Sequence, residues 1–132
     1  MNRVPLIDRA DTSAERKALL DAIHGAFGAT PNMFRAVANS PAALKSMWGS
    51  FGALGGGTLG ARLGEQIAVA VADRNACSYC LAAHTVLGQK AGASAEEMAA
   101  AQLGESSDPK TRAALLFALK VVGQRGQVSG DR

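Results

Sequence analysis

The chain has 132 residues, enough for one domain with a single core and too few for two. Apolar residues make up 48% of it, so the composition predicts a folded globular protein and excludes a disordered one. The formal net charge of +3 is spread along the chain without a basic run, which argues against nucleic-acid binding.

The composition also predicts the class of fold and the compartment. Only 5% of the residues are aromatic and alanine is abundant, which favours closely packed helices over sheets. No apolar segment reaches the roughly 18 residues of a membrane span. The N-terminus lacks the apolar core of a signal peptide, so we expect a cytoplasmic protein that does not enter membranes.

Start and stop signals predict helices along the whole chain, within one all-α domain spanning 1–132. Ser13 and Ser40 are candidate N-caps, Ser94 opens a capping box, and Asp108 precedes a proline at the first helical position. The predicted helices cover about 14–27, a short segment from 32, 41–55, 61–73, 76–91 with Asn75 as N-cap, 95–104, and 109–123. Ser129 is a candidate cap for one more helix at the end of the chain.

The chain has two cysteines, Cys77 and Cys80, and two residues separate them. In a cytoplasmic protein, such a pair indicates redox catalysis or metal binding more often than a structural disulfide. Two free thiols at this spacing can close into a disulfide and reopen. Placement in the first turn of a helix favours the reactive thiolate, because free backbone N–H groups point at it.

One histidine and one glutamate complete the candidate site. On a helix, Cys80 and His84 differ by only about 40° around the axis, and Cys77 lies nearly in line with His84, so all three share one face. The imidazole can therefore accept a thiol proton, and Glu65 can orient His84 or act as the final base. Tyr79 borders this face without occupying it. Whether Glu65 lies close depends on how the preceding helix packs.

Other interpretations of these residues stay open. The cysteines can be small core residues, and His84 and Glu65 can be an ordinary core histidine and a solvated carboxylate. The same four side chains can also hold zinc, although structural zinc sites usually draw ligands from two segments. A non-catalytic oligomeric helical protein, with the pair as a redox sensor or a zinc site, is the alternative to an enzyme. A general dithiol reductase is a third hypothesis.

At these residues the chain resembles the alkylhydroperoxidase D family, in the peroxidase-related branch of the carboxymuconolactone decarboxylase superfamily. The matching pattern is Glu65, an eleven-residue gap, and Cys77-Ser-Tyr-Cys80-Leu-Ala-Ala-His84. Upstream, Thr30-Pro-Asn-Met-Phe34 and Ser40-Pro-Ala-Ala43 also match. The decarboxylase branch lacks the cysteine pair, which counts against lactone decarboxylation.

The resemblance implies an all-helical fold that assembles into trimers or hexamers and acts as an antioxidant peroxidase. By resemblance, Cys80 attacks the hydroperoxide and becomes a sulfenic acid, and Cys77 condenses with it to a disulfide. Glu65 and His84 serve as the proton relay. The family's best-studied members have a second histidine where Tyr79 stands, so the relay here is either shorter or uses the phenol.

The resemblance also implies what meets the protein. A dithiol reductant, in the family a lipoyl-bearing protein, returns the disulfide to thiols. No haem, flavin or metal is implied. Members of this branch often continue through further helices, so by resemblance the domain either stops naturally at Arg132 or is shortened at its C-terminus.

Overall fold

A computed structural model describes residues 3–130, and this part of the chain is all helical, without strands. Seven α-helices follow one another: α1 (Ala14–Phe27), α2 (Asn32–Val37), α3 (Pro41–Gly55), α4 (Gly60–Arg74), α5 (Ser78–Lys90), α6 (Ala95–Gln102) and α7 (Pro109–Gly123). The predicted all-α class is confirmed. The helix expected after Ser129 is absent up to Gly130, and Asp131 and Arg132 lie outside the described residues.

The described chain forms two compact units that divide after Gly56. The first unit holds α1, α2 and α3. Its buried core is aliphatic apart from one ring, and consists of Leu20, Ile23, Phe34, Ala38 and Leu44. The Phe34 ring lies 5.9 Å from that of Trp48 and 5.6 Å from that of Phe51, both edge-on. The single-domain organisation stays a prediction.

The second unit holds α4 to α7 and every candidate site residue. Its core consists of Val69, Ala70, Ala93, Met98, Ala101 and Leu115, all buried. Burying each of the larger side chains, Val69, Met98 and Leu115, contributes about 1.5–3 kcal/mol. Small alanines between them let α4 lie close to its neighbours, as the composition predicts.

The N-terminus of α6 is tied to α4. Ser94 and Glu97 form the predicted capping box, in which the backbone N–H of Ser94 donates to the Glu97 carboxylate at 2.7 Å. The same carboxylate pairs with Arg62 on α4. The hydrogen bond from the Ser94 N–H is the largest influence on the pKa of Glu97 and lowers it. Desolvation opposes this effect, and the hydrogen bond from Arg62 lowers the pKa further. This contact holds the segment of α4 that carries Glu65.

The connection from α4 to α5 differs from the prediction. Asn75 does not cap α5, because it is the C-cap of α4. Ala76 follows in the left-handed region with φ of 53°, and its N–H donates to the backbone carbonyl of Asp73. The N–H of Cys77 reaches back to the Ala72 carbonyl at 3.0 Å. These two bonds form a Schellman motif, so α4 ends and α5 begins within two residues, with Cys77 as the N-cap.

A close approach at Gly88 joins α4, α5 and α6. A Cβ at this position would overlap the Sδ and Cε atoms of Met98 and lie 3.4 Å from the Cβ of Glu65. Met98 is buried, so its side chain has little room to withdraw. The missing side chain of Gly88 therefore allows the three helices to pack at this distance.

We expect Ala76→Gly to stabilise the protein by about 1 kcal/mol, because glycine adopts the left-handed conformation without the steric cost that alanine bears. Denaturant unfolding measures the change. The matched control is Ala82→Gly, in the exposed middle of α5, which should destabilise by about 0.5–1 kcal/mol. The same sign for both variants would contradict the conformation of Ala76.

Gly88→Ala should destabilise the protein by about 1–2 kcal/mol, because overpacking outweighs the gain in helix propensity. In a Met98→Ala background the obstruction is gone, so the same substitution should become neutral or stabilising. A double-mutant cycle of unfolding free energies gives both values. Equal effects of Gly88→Ala in the two backgrounds would show that Met98 does not limit the space.

Candidate active site

The two cysteines meet at the N-terminus of α5. Their Sγ atoms are bonded as a disulfide at 2.08 Å, and their Cα atoms are 5.3 Å apart. Cys77 is the N-cap, and its sulfur accepts the backbone N–H of Cys80 at 3.3 Å. Cys80 is thus in the first turn of α5, and Cys77 is the residue immediately before that turn. The sequence predicted Cys77 inside the first turn. Both cysteines are partly exposed.

Glu65 and His84 form a hydrogen-bonded pair across α4 and α5. The His84 Nδ1 atom lies 2.7 Å from the Glu65 Oε2 atom. The side chain of His84 is 32% exposed and that of Glu65 is 25% exposed, so neither is cut off from water. The sequence left this contact open, because the two residues lie on different helices.

The hydrogen bond determines which imidazole nitrogen is free. An ionised carboxylate can only accept, so Nδ1 of His84 carries the proton and donates it to Glu65. In the neutral ring, the Nε2 atom is then unprotonated and can accept a proton from a thiol or a bound substrate. The carboxylate also stabilises the imidazolium that forms.

His84 lies one helical turn after Cys80 and one turn before Gly88 on α5. Residues four apart are neighbours on a helix, and side chains lean towards the N-terminus. The imidazole therefore leans towards the turn that carries Cys80. On the other side of His84, a Cβ atom added at Gly88 would lie 3.4 Å from the Cβ of Glu65. Because glycine lacks this atom, Glu65 has room to reach His84.

Tyr79 stands apart from these residues. It is the second residue of α5 and is 67% exposed, and within residues 3–130 its hydroxyl makes no hydrogen bond. The sequence placed it at the border of the cysteine face, and its exposure agrees with that position. A role for the phenol in proton transfer stays a prediction.

The zinc hypothesis requires three or four His, Cys, Asp or Glu side chains around one point. Across residues 3–130, no three side chains of His, Cys, Asp and Glu form a group that could hold a metal ion. The two sulfurs are bonded to each other, and Nδ1 of His84 is engaged by Glu65. Nothing in this arrangement brings four ligands around one point.

Sequence reasoning missed two residues that shape the site. Ala76 sets the turn that makes Cys77 an N-cap, and Gly88 sets the spacing between Glu65 and α5. An isolated glycine inside a helical pattern is the one available signal, since it often marks a close approach. An alanine in the left-handed conformation leaves no signal in sequence.

No helix within residues 3–130 has the length and apolarity to span a membrane.

Comparisons with known proteins agree with the architecture. The model of the carboxymuconolactone decarboxylase family matches residues 41–122, which is more than half of the chain. The alkylhydroperoxidase AhpD core from Rhodospirillum rubrum ATCC 11170 is a similar solved structure, with a TM-score of 0.68 and 30% sequence identity. The match covers 98% of this chain and 95% of that one. No curated protein matches the sequence.

The predicted resemblance is therefore confirmed by two independent comparisons, one of sequence and one of structure. Because the family model covers α3 to α7 almost completely, it includes the disulfide and the Glu65–His84 pair. The chain belongs to the carboxymuconolactone decarboxylase family and has an AhpD-like fold.

Proposed function

We propose that the chain is a thiol-dependent peroxidase that reduces hydroperoxides with Cys77 and Cys80. The observation that carries the proposal is the Glu65–His84 hydrogen bond of 2.7 Å, which leaves Nε2 free one turn from Cys80. The similar AhpD core is named as an alkylhydroperoxidase, which supports the same chemistry here. The disulfide supplies the oxidised state that this cycle needs.

In the proposed cycle, His84 accepts the thiol proton of Cys80 and the thiolate attacks the terminal oxygen of the hydroperoxide. The O–O bond breaks, the alkoxide leaves with the proton held by His84, and Cys80 becomes a sulfenic acid. Cys77 then attacks the Cys80 sulfur, the S–O bond breaks, and the thiol proton of Cys77 joins the leaving hydroxide, which releases water. The hydroperoxide gains two electrons and the dithiol loses two. A dithiol reductant, such as a lipoyl-bearing protein, restores the thiols.

The proposal extends to the setting of the protein. A reducing cytoplasm would keep Cys77 and Cys80 available as thiols between turnovers. Assembly into trimers or hexamers would cover some of the apolar side chains that are half exposed or more, such as Val86, Leu116 and Phe117. Light scattering of the purified chain tests the oligomer.

The alternative is a non-catalytic redox sensor or zinc protein, and a general dithiol reductase is the third candidate. All three use the same cysteines, so they differ in turnover and in metal content. Continuous peroxide consumption supports the peroxidase, faster turnover of disulfides than of hydroperoxides supports the reductase, and stoichiometric zinc in protein purified without chelator supports the zinc protein.

One equivalent of an alkyl hydroperoxide should convert the reduced chain to the disulfide, with a mass loss of two hydrogens. Cys80→Ser should abolish peroxide consumption, and Cys77→Ser should leave a sulfenic acid on Cys80 that dimedone traps. Intact-mass spectrometry after a rapid quench reads all three species. Trapping on Cys77 in the Cys80→Ser variant would reverse the assignment of the nucleophile.

Glu65→Gln and His84→Gln should each slow the reaction of the reduced chain with hydroperoxide by about 10²–10⁴-fold, as for loss of a general base. The pH dependence of that rate should also change, which a purely structural effect would not produce. Matched controls are Glu96→Gln on α6 and His24→Gln on α1, both outside the site. Rates within threefold of the unmodified chain for the two site variants would contradict the relay. Tyr79→Phe tests the phenol in the same assay.

A further inference from the structure

An apolar cleft of about 180 Å³ opens beside the disulfide, where α4 turns into α5. It is lined by Ala72, Asp73, Ala76, Cys77, Ser78 and Leu81. All six residues belong to the second unit. The cleft exists because the Schellman motif folds the end of α4 back before Cys77 starts α5.

The cleft distinguishes between the two sulfurs. Of the residues that the structure describes, Cys77 borders it and Cys80 does not. In thiol–disulfide exchange, the incoming thiolate must reach one sulfur, and access to that sulfur helps to determine which one is attacked. A thiol seated in this cleft therefore meets Cys77.

The chemistry of the walls indicates the kind of thiol. Ala72, Ala76 and Leu81 present methyl groups, and the volume equals that of roughly six water molecules, enough for a short alkyl chain. Asp73 is one of the lining residues, and its carboxylate accepts a hydrogen bond from the Gln102 amide at 2.7 Å. This negative charge disfavours anionic thiols. The cleft thus fits an uncharged alkyl thiol better than an acidic one.

We propose that the cleft binds the alkyl part of the reducing thiol, so that reduction of the disulfide begins at Cys77. The inference rests on the dithiol cycle proposed above. A thiolate of a small apolar dithiol attacks Cys77 Sγ, the S–S bond breaks, and the electron pair goes to Cys80 Sγ. The second thiolate of the reductant then attacks the reductant's other sulfur, which is bonded to Cys77 in the mixed disulfide. Cys77 leaves as a thiolate. The reductant loses two electrons and becomes a cyclic disulfide.

The leaving group favours the same direction. Both sulfurs lie at the N-terminus of α5, so the helix dipole stabilises a thiolate on either one. His84 is one turn from Cys80 and, once its Nε2 has taken up the proton that the reductant's thiol gives off, can donate that proton to the thiolate as it leaves. Attack at Cys77 therefore places the departing charge beside the proton donor, and hydroperoxide and reductant use different cysteines.

The first test maps the initial mixed disulfide and needs no peroxide. The oxidised chain is mixed with butanethiol, quenched in acid at increasing times, and alkylated with iodoacetamide. Fragment mass spectra of the peptide that contains both cysteines then locate the label. Extrapolated to zero time, the butylthio group should lie on Cys77 and the carbamidomethyl group on Cys80. The reverse distribution would overturn the proposal.

The second test changes the cleft. Ser78→Leu should narrow it and lower the rate of exchange with butanethiol at least threefold, with a smaller effect on methanethiol. Asp73→Asn keeps an acceptor for Gln102 and should raise the rate with 2-mercaptoethanesulfonate about twofold to fivefold. Asp11→Asn, exposed in the first unit, is the matched control. Unchanged rate ratios among the three thiols would overturn the cleft.

These outcomes separate the inference from the proposed function. A chain that exchanges thiols at Cys77 but ignores hydroperoxides would support the cleft and contradict the peroxidase. A chain that consumes hydroperoxides but takes its label on Cys80 would do the opposite.

Discussion

The candidate site depends on one hydrogen bond, between Nδ1 of His84 and Oε2 of Glu65. It joins two helices, selects the imidazole tautomer and leaves Nε2 of His84 as the nitrogen that can accept a proton. Without the carboxylate, either nitrogen of a neutral imidazole can carry the proton, and the ring has no fixed direction. The reduced cysteine pair supplies the electrons of the proposed reaction, and this hydrogen bond determines where its protons go.

Residues that take no part in the proposed reaction position the helices that share the hydrogen bond. Gly88 lets Glu65 approach α5, and Met98 fills the space that remains. Glu97 and Arg62 tie the start of α6 to the same stretch of α4. Ala76 adopts an unfavourable conformation that allows Cys77 to be the N-cap of α5. Local strain of this kind is tolerated when the surrounding structure compensates for it. Here the Schellman bonds and the packing of α4 provide that compensation.

Much of the helical structure and of the candidate site could be predicted from sequence. The features that could not be predicted share one physical cause. Ser40, Ser94 and Asp108 all cap their helices through the side chain, because capping is local in sequence. The spacing of Cys77, Cys80 and His84 was equally local. Asn75 was misassigned because the same residue type suits both ends of a helix, and the choice depended on how far α4 extended. The Glu65 contact, the space at Gly88 and the cleft beside Cys77 are products of tertiary packing, which spacing along one helix cannot reveal.

The most direct test of the account is nitrogen NMR of His84 in the reduced chain at neutral pH. We expect a proton on Nδ1, an unprotonated Nε2, and loss of this preference when Glu65 is replaced by glutamine. The Nε2 signal should also move when Cys80 alone is alkylated. A proton on Nε2, or a His84 spectrum that is indifferent to both changes, would contradict the claim that this pair serves the cysteine.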